Sequence, residues 1–240
     1  AGGSAIADVL LGREEPGGRL AETVPLRLED TPAYGNYPGE GGTVRYGEGL
    51  LVGYRWYDTR GLEVAYPFGH GYTYTTFSYS DLHVRVDGSG ADQLVHVELT
   101  LTNTGDRSGS EVVQLYSGAP EGDDGGQQRP LHPRRELRGF EKVPLEPGES
   151  RRVEFHLDVR SLSRYEPGTG SWVADAGEYR LEVGASSRDI RVAGVAALDG
   201  TIPPPVLGIA STLEEWMADP EAAAALVSAM TGTGTGSEPS

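Results

Sequence analysis

From about Thr76 onward, apolar residues return at every second position, and the runs are cut at short intervals by Gly, Pro and Asn. Alternation of this kind belongs to half-buried β-strands, because successive side chains leave a strand on opposite faces. Leu82, Val84 and Val86 alternate with His83 and Arg85, and Val95, Val97, Leu99 and Leu101 alternate with His96, Glu98 and Thr100. Further on, Val153, Phe155 and Leu157 alternate with Arg152, Glu154 and His156, and Tyr179, Leu181 and Val183 with Arg180 and Glu182. Runs at 111–116, 136–143, 171–174 and 190–192 bring the series to about eight short strands. Asp87-Gly88, Asn103-Thr104-Gly105, Pro147-Gly148 and Pro167-Gly168 supply turns between them.

Short strands at this spacing, each with one face to bury, predict a mainly β chain folded as a two-sheet sandwich of the immunoglobulin or fibronectin type III-like kind. The absence of Cys rules out the disulfide-bearing antibody variant, along with thiol nucleophiles and thiolate metal sites. Gly 35 and Pro 16 make up about 21% of the 240 residues, above ordinary usage but below the level of an unpatterned low-complexity chain.

Around the sandwich the texture differs. Residues 4–11 read as the last turns of a helix, with Ser4 as N-cap and Gly12 just past its end. Residues 12–45 carry Gly or Pro every few positions, which restricts regular structure to brief stretches such as 19–24. Beyond Ala193 the alternation stops. Pro203-Pro204-Pro205 reads as a stiff extended spacer. Ser211 with Glu214, or Thr212 with Glu215, reads as a capping box for a helix around 213–217. Asp219 as N-cap and Pro220 at the first helical position then open a second helix running to about Met230, before a tail with nothing to bury. The start at Ala1 has neither an initiating Met nor a charged leader, and is read as a cut point inside a longer protein.

A net charge of −16 argues against nucleic acid and anionic membrane surfaces as partners. No apolar run approaches the ~20 residues of a membrane-spanning helix. His83, His96 and His156 fall on the polar phase of strands, and His132 in a Pro- and Arg-rich loop, so all four read as solvent-facing. His70, framed by Gly69 and Gly71, reads as a buried hydrogen-bonding group that holds two segments together. No metal-ligand series, nucleophile elbow or phosphate loop occurs, so neither metal nor cofactor is expected. Tyr46-Gly47-Glu48-Gly49 followed by Gly53-Tyr54-Arg55-Trp56-Tyr57-Asp58 gathers aromatics, acids and an Arg in a Gly-framed loop. Aromatic platforms with carboxylates and Arg suit a sugar pocket. An Arg55 pair with Glu48 or Asp58 in a purely structural role is equally open.

At this point the residues resemble a known family. Ala7-Asp8-Val9-Leu10-Leu11-Gly12 with Pro16-Gly17-Gly18-Arg19-Leu20, then Val44 to Asp58 around Tyr46-Gly47-Glu48-Gly49, and Tyr66-Pro67-Phe68-Gly69-His70-Gly71-Tyr72 are similar to the C-terminal part of glycoside hydrolase family 3 enzymes. Thr102-Asn103-Thr104-Gly105, Glu111-Val112-Val113-Gln114-Leu115-Tyr116, Arg129-Pro130, Glu136-Leu137-Arg138-Gly139-Phe140 and Leu145-Glu146-Pro147-Gly148-Glu149 continue the pattern in order. His132-Pro133 before the Glu136 strand departs from it.

The resemblance implies the last third of a retaining β-glucosidase or β-xylosidase. Residues 1–33 would finish an α/β sandwich domain, 34–76 would cross toward the active-site rim, 77–194 would form the fibronectin-like module, and 195–240 would be spacer and helical tail. The nucleophilic Asp and the acid/base Glu would lie upstream, so no catalytic residue is expected here. Retaining hydrolysis needs two carboxyl groups about 5–5.5 Å apart, and the chain alone is expected to be inactive. Its expected partners are the upstream barrel and α/β domains and, through the whole enzyme, a β-linked oligosaccharide or aryl glycoside. Glu48 and Tyr46 are the expected substrate-binding residues of the rim. The alternative is a stand-alone fibronectin-like module that binds carbohydrate or protein without chemistry. Localisation stays open, with cytoplasm ahead of secretion.

Overall fold

The computed structural model describes residues 2–120, 132–167, 169–201, 207–208, 211–218 and 220–230. The chain divides into two units: residues 1–163 with 174–201, and residues 164–173 with 202–240.

The first unit opens with α1 (Gly2–Leu10), which buries no side chain. The helix begins before Ser4, so Ser4 is not its N-cap. Gly12, at φ +67°, closes it in the left-handed conformation expected of that position. A short antiparallel pair, β1 (Val24–Pro25) with β2 (Val64–Tyr66), brackets α2 (Tyr54–Arg60), which stops at the left-handed Gly61.

The sandwich follows. One sheet has the order β3 (Phe77–Asp87), β4 (Leu94–Asn103), β7 (Ser150–Asp158). The other runs β11 (Ile190–Leu198), β10 (Gly177–Gly184), β5 (Gly109–Ser117), β6 (Glu136–Leu145). All pairings are antiparallel. Val95, Val97, Leu99 and Leu101 of one sheet and Val113, Leu115, Leu181 and Val183 of the other fill the space between, all at most 1% exposed. The mainly β, fibronectin type III-like sandwich read from the alternation is therefore present.

Three details depart from the sequence reading. In β3 the inward residues switch phase, from Phe77 and Tyr79 to Leu82, Val84 and Val86. The switch is made by a bulge between Ser80 and His83, with Asp81 at φ +52°. The last strand continues to Leu198, past the end of the visible alternation, because Ala196 and Leu198 still face the core. Gly194 sits in this strand where a Cβ would lie 2.8 Å from Val84 Cγ2, so the bare backbone admits close packing.

In the second unit, β8 (Arg164–Glu166) pairs with β9 (Ser171–Val173) in a two-stranded ribbon. Residues 171–173 thus belong to a separate hairpin, and the sandwich has seven strands among the described residues. Tyr165 and Trp172 meet edge to face across it at 5.4 Å. Two helices follow, α3 (Leu213–Ala218) and α4 (Pro220–Met230), where the sequence placed them. Thr212 is the residue before α3, and its carbonyl accepts from Trp216 N. Ser211 Oγ turns back to accept from Gly208 N. The Pro203–Pro205 spacer, the Asp219 cap, the Arg129-Pro130 block and the final ten residues lie outside the described residues.

Candidate functional site

The segment carrying Tyr46 and Glu48 is built outward from a buried base. Leu51, 3% exposed, anchors it, and the Leu51 N–H donates to the Glu48 carbonyl at 3.0 Å. The Gly49 N–H donates to the Tyr46 carbonyl at 3.3 Å, closing a turn in which Gly49 has φ +58°. On this turn Tyr46 is 81% exposed, and Glu48 is half-buried, with Oε2 accepting from Asn36 Nδ2 at 3.5 Å. Tyr34, Tyr37, Val44, Leu50 and Val52 are exposed in the same stretch.

Helix α2 carries this turn's C-terminal end and is fastened to the sandwich by four of its own side chains. Tyr54 stacks on Phe68 at 4.5 Å and meets Tyr116 edge to face at 6.2 Å. Its hydroxyl accepts the Leu137 N–H at 2.8 Å. Arg55 pairs with Glu136 at 3.0 Å. Asp58, buried, accepts from Arg188 Nε at 2.7 Å, and the same guanidinium donates to the Leu62 carbonyl. Thr59 Oγ1 accepts the Arg134 N–H at 2.9 Å. Arg55 therefore serves neither Glu48 nor Asp58. Strand β6 and the β10–β11 turn, remote in sequence, supply the partners.

Beneath α2 a polar network covers the outer face of β5. Gln114 Nε2 donates to the Ala185 carbonyl at 2.7 Å and the Gly69 carbonyl at 3.2 Å, and its Oε1 accepts from the Tyr116 hydroxyl at 2.5 Å. Burial pushes the Tyr116 phenol well above the ordinary range, with Tyr54 and Asp58 adding to the effect. Gly69 is required here: at φ +80°, a Cβ would fall 2.0 Å from Gln114 Oε1. Arg19 pairs with Glu111 at 2.6 Å, both nearly dry. Arg135 is held by Glu182 and the Ser187 carbonyl, which fixes the strand entry after His132-Pro133.

His70 is half-buried and links segments through its backbone, not through the ring hydrogen bond the sequence suggested. Its carbonyl accepts the Leu20 N–H at 2.8 Å, while its ring lies between Tyr66 at 5.2 Å and Tyr72 at 5.1 Å. Nε2 is buried without a hydrogen bond. These rings, with Leu20 and Val24, line an apolar groove of 560 Å³.

A second groove, of 620 Å³, is polar and contains Glu14, Glu15, Glu146 and Glu149. Both Glu15 oxygens are occupied, by Thr73 Oγ1 at 2.5 Å and Ser110 N at 2.6 Å. Glu149 Oε2 accepts the Glu146 N–H at 2.9 Å. Glu15 and Glu149 thus tie loops together. Among the described residues no group of three or more His, Asp or Glu could hold a metal ion.

Residues 1–74 match the glycosyl hydrolase family 3 C-terminal domain, and residues 111–187 match the fibronectin type III-like domain. The chain belongs to glycoside hydrolase family 3, as its C-terminal region. It is 42% identical over 225 residues to the thermostable beta-glucosidase B of Acetivibrio thermocellus, covering 93% of this chain and 29% of that protein. It is 43% identical over 219 residues to the exo-alpha-(1->6)-L-arabinopyranosidase of Bifidobacterium longum, covering 91% and 28%. The crystal structure of the family 3 β-glucosidase of Bifidobacterium adolescentis superposes with a TM-score of 0.82 at 43% identity, over 94% of this chain and 32% of that one. The chain thus spans about a third or less of these relatives.

The sequence reading missed Asp58–Arg188, Gln114 and Arg135 as organisers of this region. The signal available to it was the set of polar residues inside strands, Glu111, Gln114 and Glu182, which an exposed outer face would not need to pair.

Proposed function

We propose that this chain is the C-terminal scaffold of a retaining β-glycosidase, and that the Tyr46–Glu48 turn forms part of the substrate rim. The observation that carries the reading is the fastening of α2. Four of its side chains hold the base of the turn on the sandwich, while Tyr46 itself stays in solvent. A rim residue needs this combination of fixed backbone and free side chain. The match to family 3 proteins along more than nine-tenths of the chain supports the glycosidase assignment over a stand-alone binding module.

In this reading the nucleophile and proton donor come from polypeptide outside these residues. Glu15 and Glu149 of the polar groove already serve as loop ties, and Glu48 is assigned to hydrogen-bond a sugar hydroxyl and Tyr46 to stack on a ring face. The sugar preference is set elsewhere. One close relative is named a β-glucosidase and another an arabinopyranosidase at nearly equal identity.

The test is Glu48→Ala in the longer enzyme. We expect kcat/KM on an aryl β-glucoside to fall by about 10-fold or more, with a melting temperature within about 2 °C of the parent. A loss of activity that only tracks unfolding would remove Glu48 from the rim.

A further inference from the structure

On the outer face of the three-stranded sheet, His96 of β4 and His156 of β7 occupy directly opposed positions in the antiparallel register. Their Nδ1 atoms are 3.0 Å apart, and the rings meet edge to face. His96 Nε2, on the far side of its ring, is buried, makes no hydrogen bond, and lies 3.2 Å from Asp87 Oδ2 at the end of β3. A carboxylate beside Nε2 favours the proton on that nitrogen, which leaves the His96 Nδ1 lone pair aimed at His156. Metal-binding histidines are oriented in this way, with one ring nitrogen toward a carboxylate and the other toward the ion.

We propose that His96 and His156 form a two-imidazole chelate for Cu²⁺ or Ni²⁺, with Asp87 as a positioning residue. The separation of the nitrogens selects the geometry. Two nitrogens at about 2.1 Å from one ion and 90° apart are about 3.0 Å from each other, whereas a tetrahedral ion such as Zn²⁺ spreads them to about 3.4 Å. The observed spacing fits two adjacent corners of a tetragonal or octahedral ion. Since no third protein ligand lies within reach among the described residues, water fills the other positions. Binding moves the His156 proton from Nδ1 to Nε2, so no net proton is released from the neutral pair. Arg85, paired with Asp87 and placed opposite His96, opposes the incoming charge. Glu98 and Glu154, directly opposed one pair along the same face, offset it.

The experiment is Cu²⁺ titration of the 240-residue chain, read by calorimetry and by electron paramagnetic resonance. It compares the parent with His156→Asn, His96→Asn, Asp87→Asn and the control His83→Asn. We expect one ion bound with two equatorial nitrogens, and binding weakened at least about 10-fold by either imidazole substitution. Asp87→Asn, which keeps both nitrogens, should weaken binding less than either imidazole substitution, and His83→Asn should match the parent. Thermal unfolding without metal confirms that each variant is folded. A one-nitrogen spectrum, or parental affinity in folded His156→Asn, would overturn the proposal and leave an ordinary hydrogen-bonded His pair.

Discussion

Replacing Arg188 with Met tests how the rim segment is held. The Arg188 side chain is 31% exposed and its Nε donates to Asp58, whose side chain is 4% exposed and whose second oxygen, Oδ2, is buried without a hydrogen bond among the described residues. Removing one partner of a fully buried pair costs about 3–5 kcal/mol, because a charge is left dry, while an exposed pair is worth about 0–1 kcal/mol. With one partner dry and the other a third wet, Arg188→Met should cost about 2–3 kcal/mol. For a chain of this size that corresponds to a melting shift of roughly 4–12 °C. Asp58→Asn removes the stranded charge, so adding it to Arg188→Met should restore at least about 1 kcal/mol. The assay is urea unfolding followed by tryptophan fluorescence, to which Trp56 in α2 contributes along with Trp172 and Trp216. Hydrogen exchange along α2 then separates local undocking from global loss. A cost below about 0.5 kcal/mol with no coupling in the double variant would refute the buried-charge argument.

Three further outcomes follow from the same structure. Gly71→Ala would place a Cβ 2.3 Å from the Gly18 carbonyl and should cost about 1–3 kcal/mol, whereas Gly18→Ala, with nothing within 4 Å, should be nearly silent in the same thermal melt. Asp158 accepts from the Ser161 hydroxyl and N–H, bonds that hold its carboxyl below the usual range. Its folded pKa being the lower, that stabilisation is complete above the ordinary carboxylate range and disappears as pH falls through the folded value. The Tm gap between parent and Asp158→Asn should therefore close on acidification; a constant gap would contradict the assignment. Burial raises the Tyr79 and Tyr116 phenols, so ultraviolet titration should show these two ionising only as the chain unfolds.

The sandwich was legible because its core strands alternate cleanly: Val95 to Leu101 and Val153 to Leu157 each present one apolar face, and the two lie side by side in one sheet against the core residues of the other. The run at 171–174 was harder to place, since a three-residue strand has too little pattern to name its partner. Gln114 and Glu182 were illegible for a different reason. Alternation assigns them to a wet outer face, but α2 and the Gly69 turn cover that face and turn each polar group into a required partner. The rim residues stood out by composition, whereas what fixes them did not: Glu136, Arg188 and Tyr116 are distant in sequence and meet α2 only in the fold. His96 and His156 illustrate the same limit. Each reads alone as a solvent-facing residue, and only the register of β4 with β7 brings them together.

The proposal that these residues serve as scaffold for glycoside hydrolysis carried out by acids outside them has a direct test. The most direct measurement is turnover of an aryl β-glucoside by the purified 240-residue chain, run beside the longer enzyme at equal molar concentration. The account predicts release at the buffer rate from the chain alone and full turnover from the longer enzyme. Release by the chain above the buffer rate, abolished by substituting one of its own carboxylates, would contradict it.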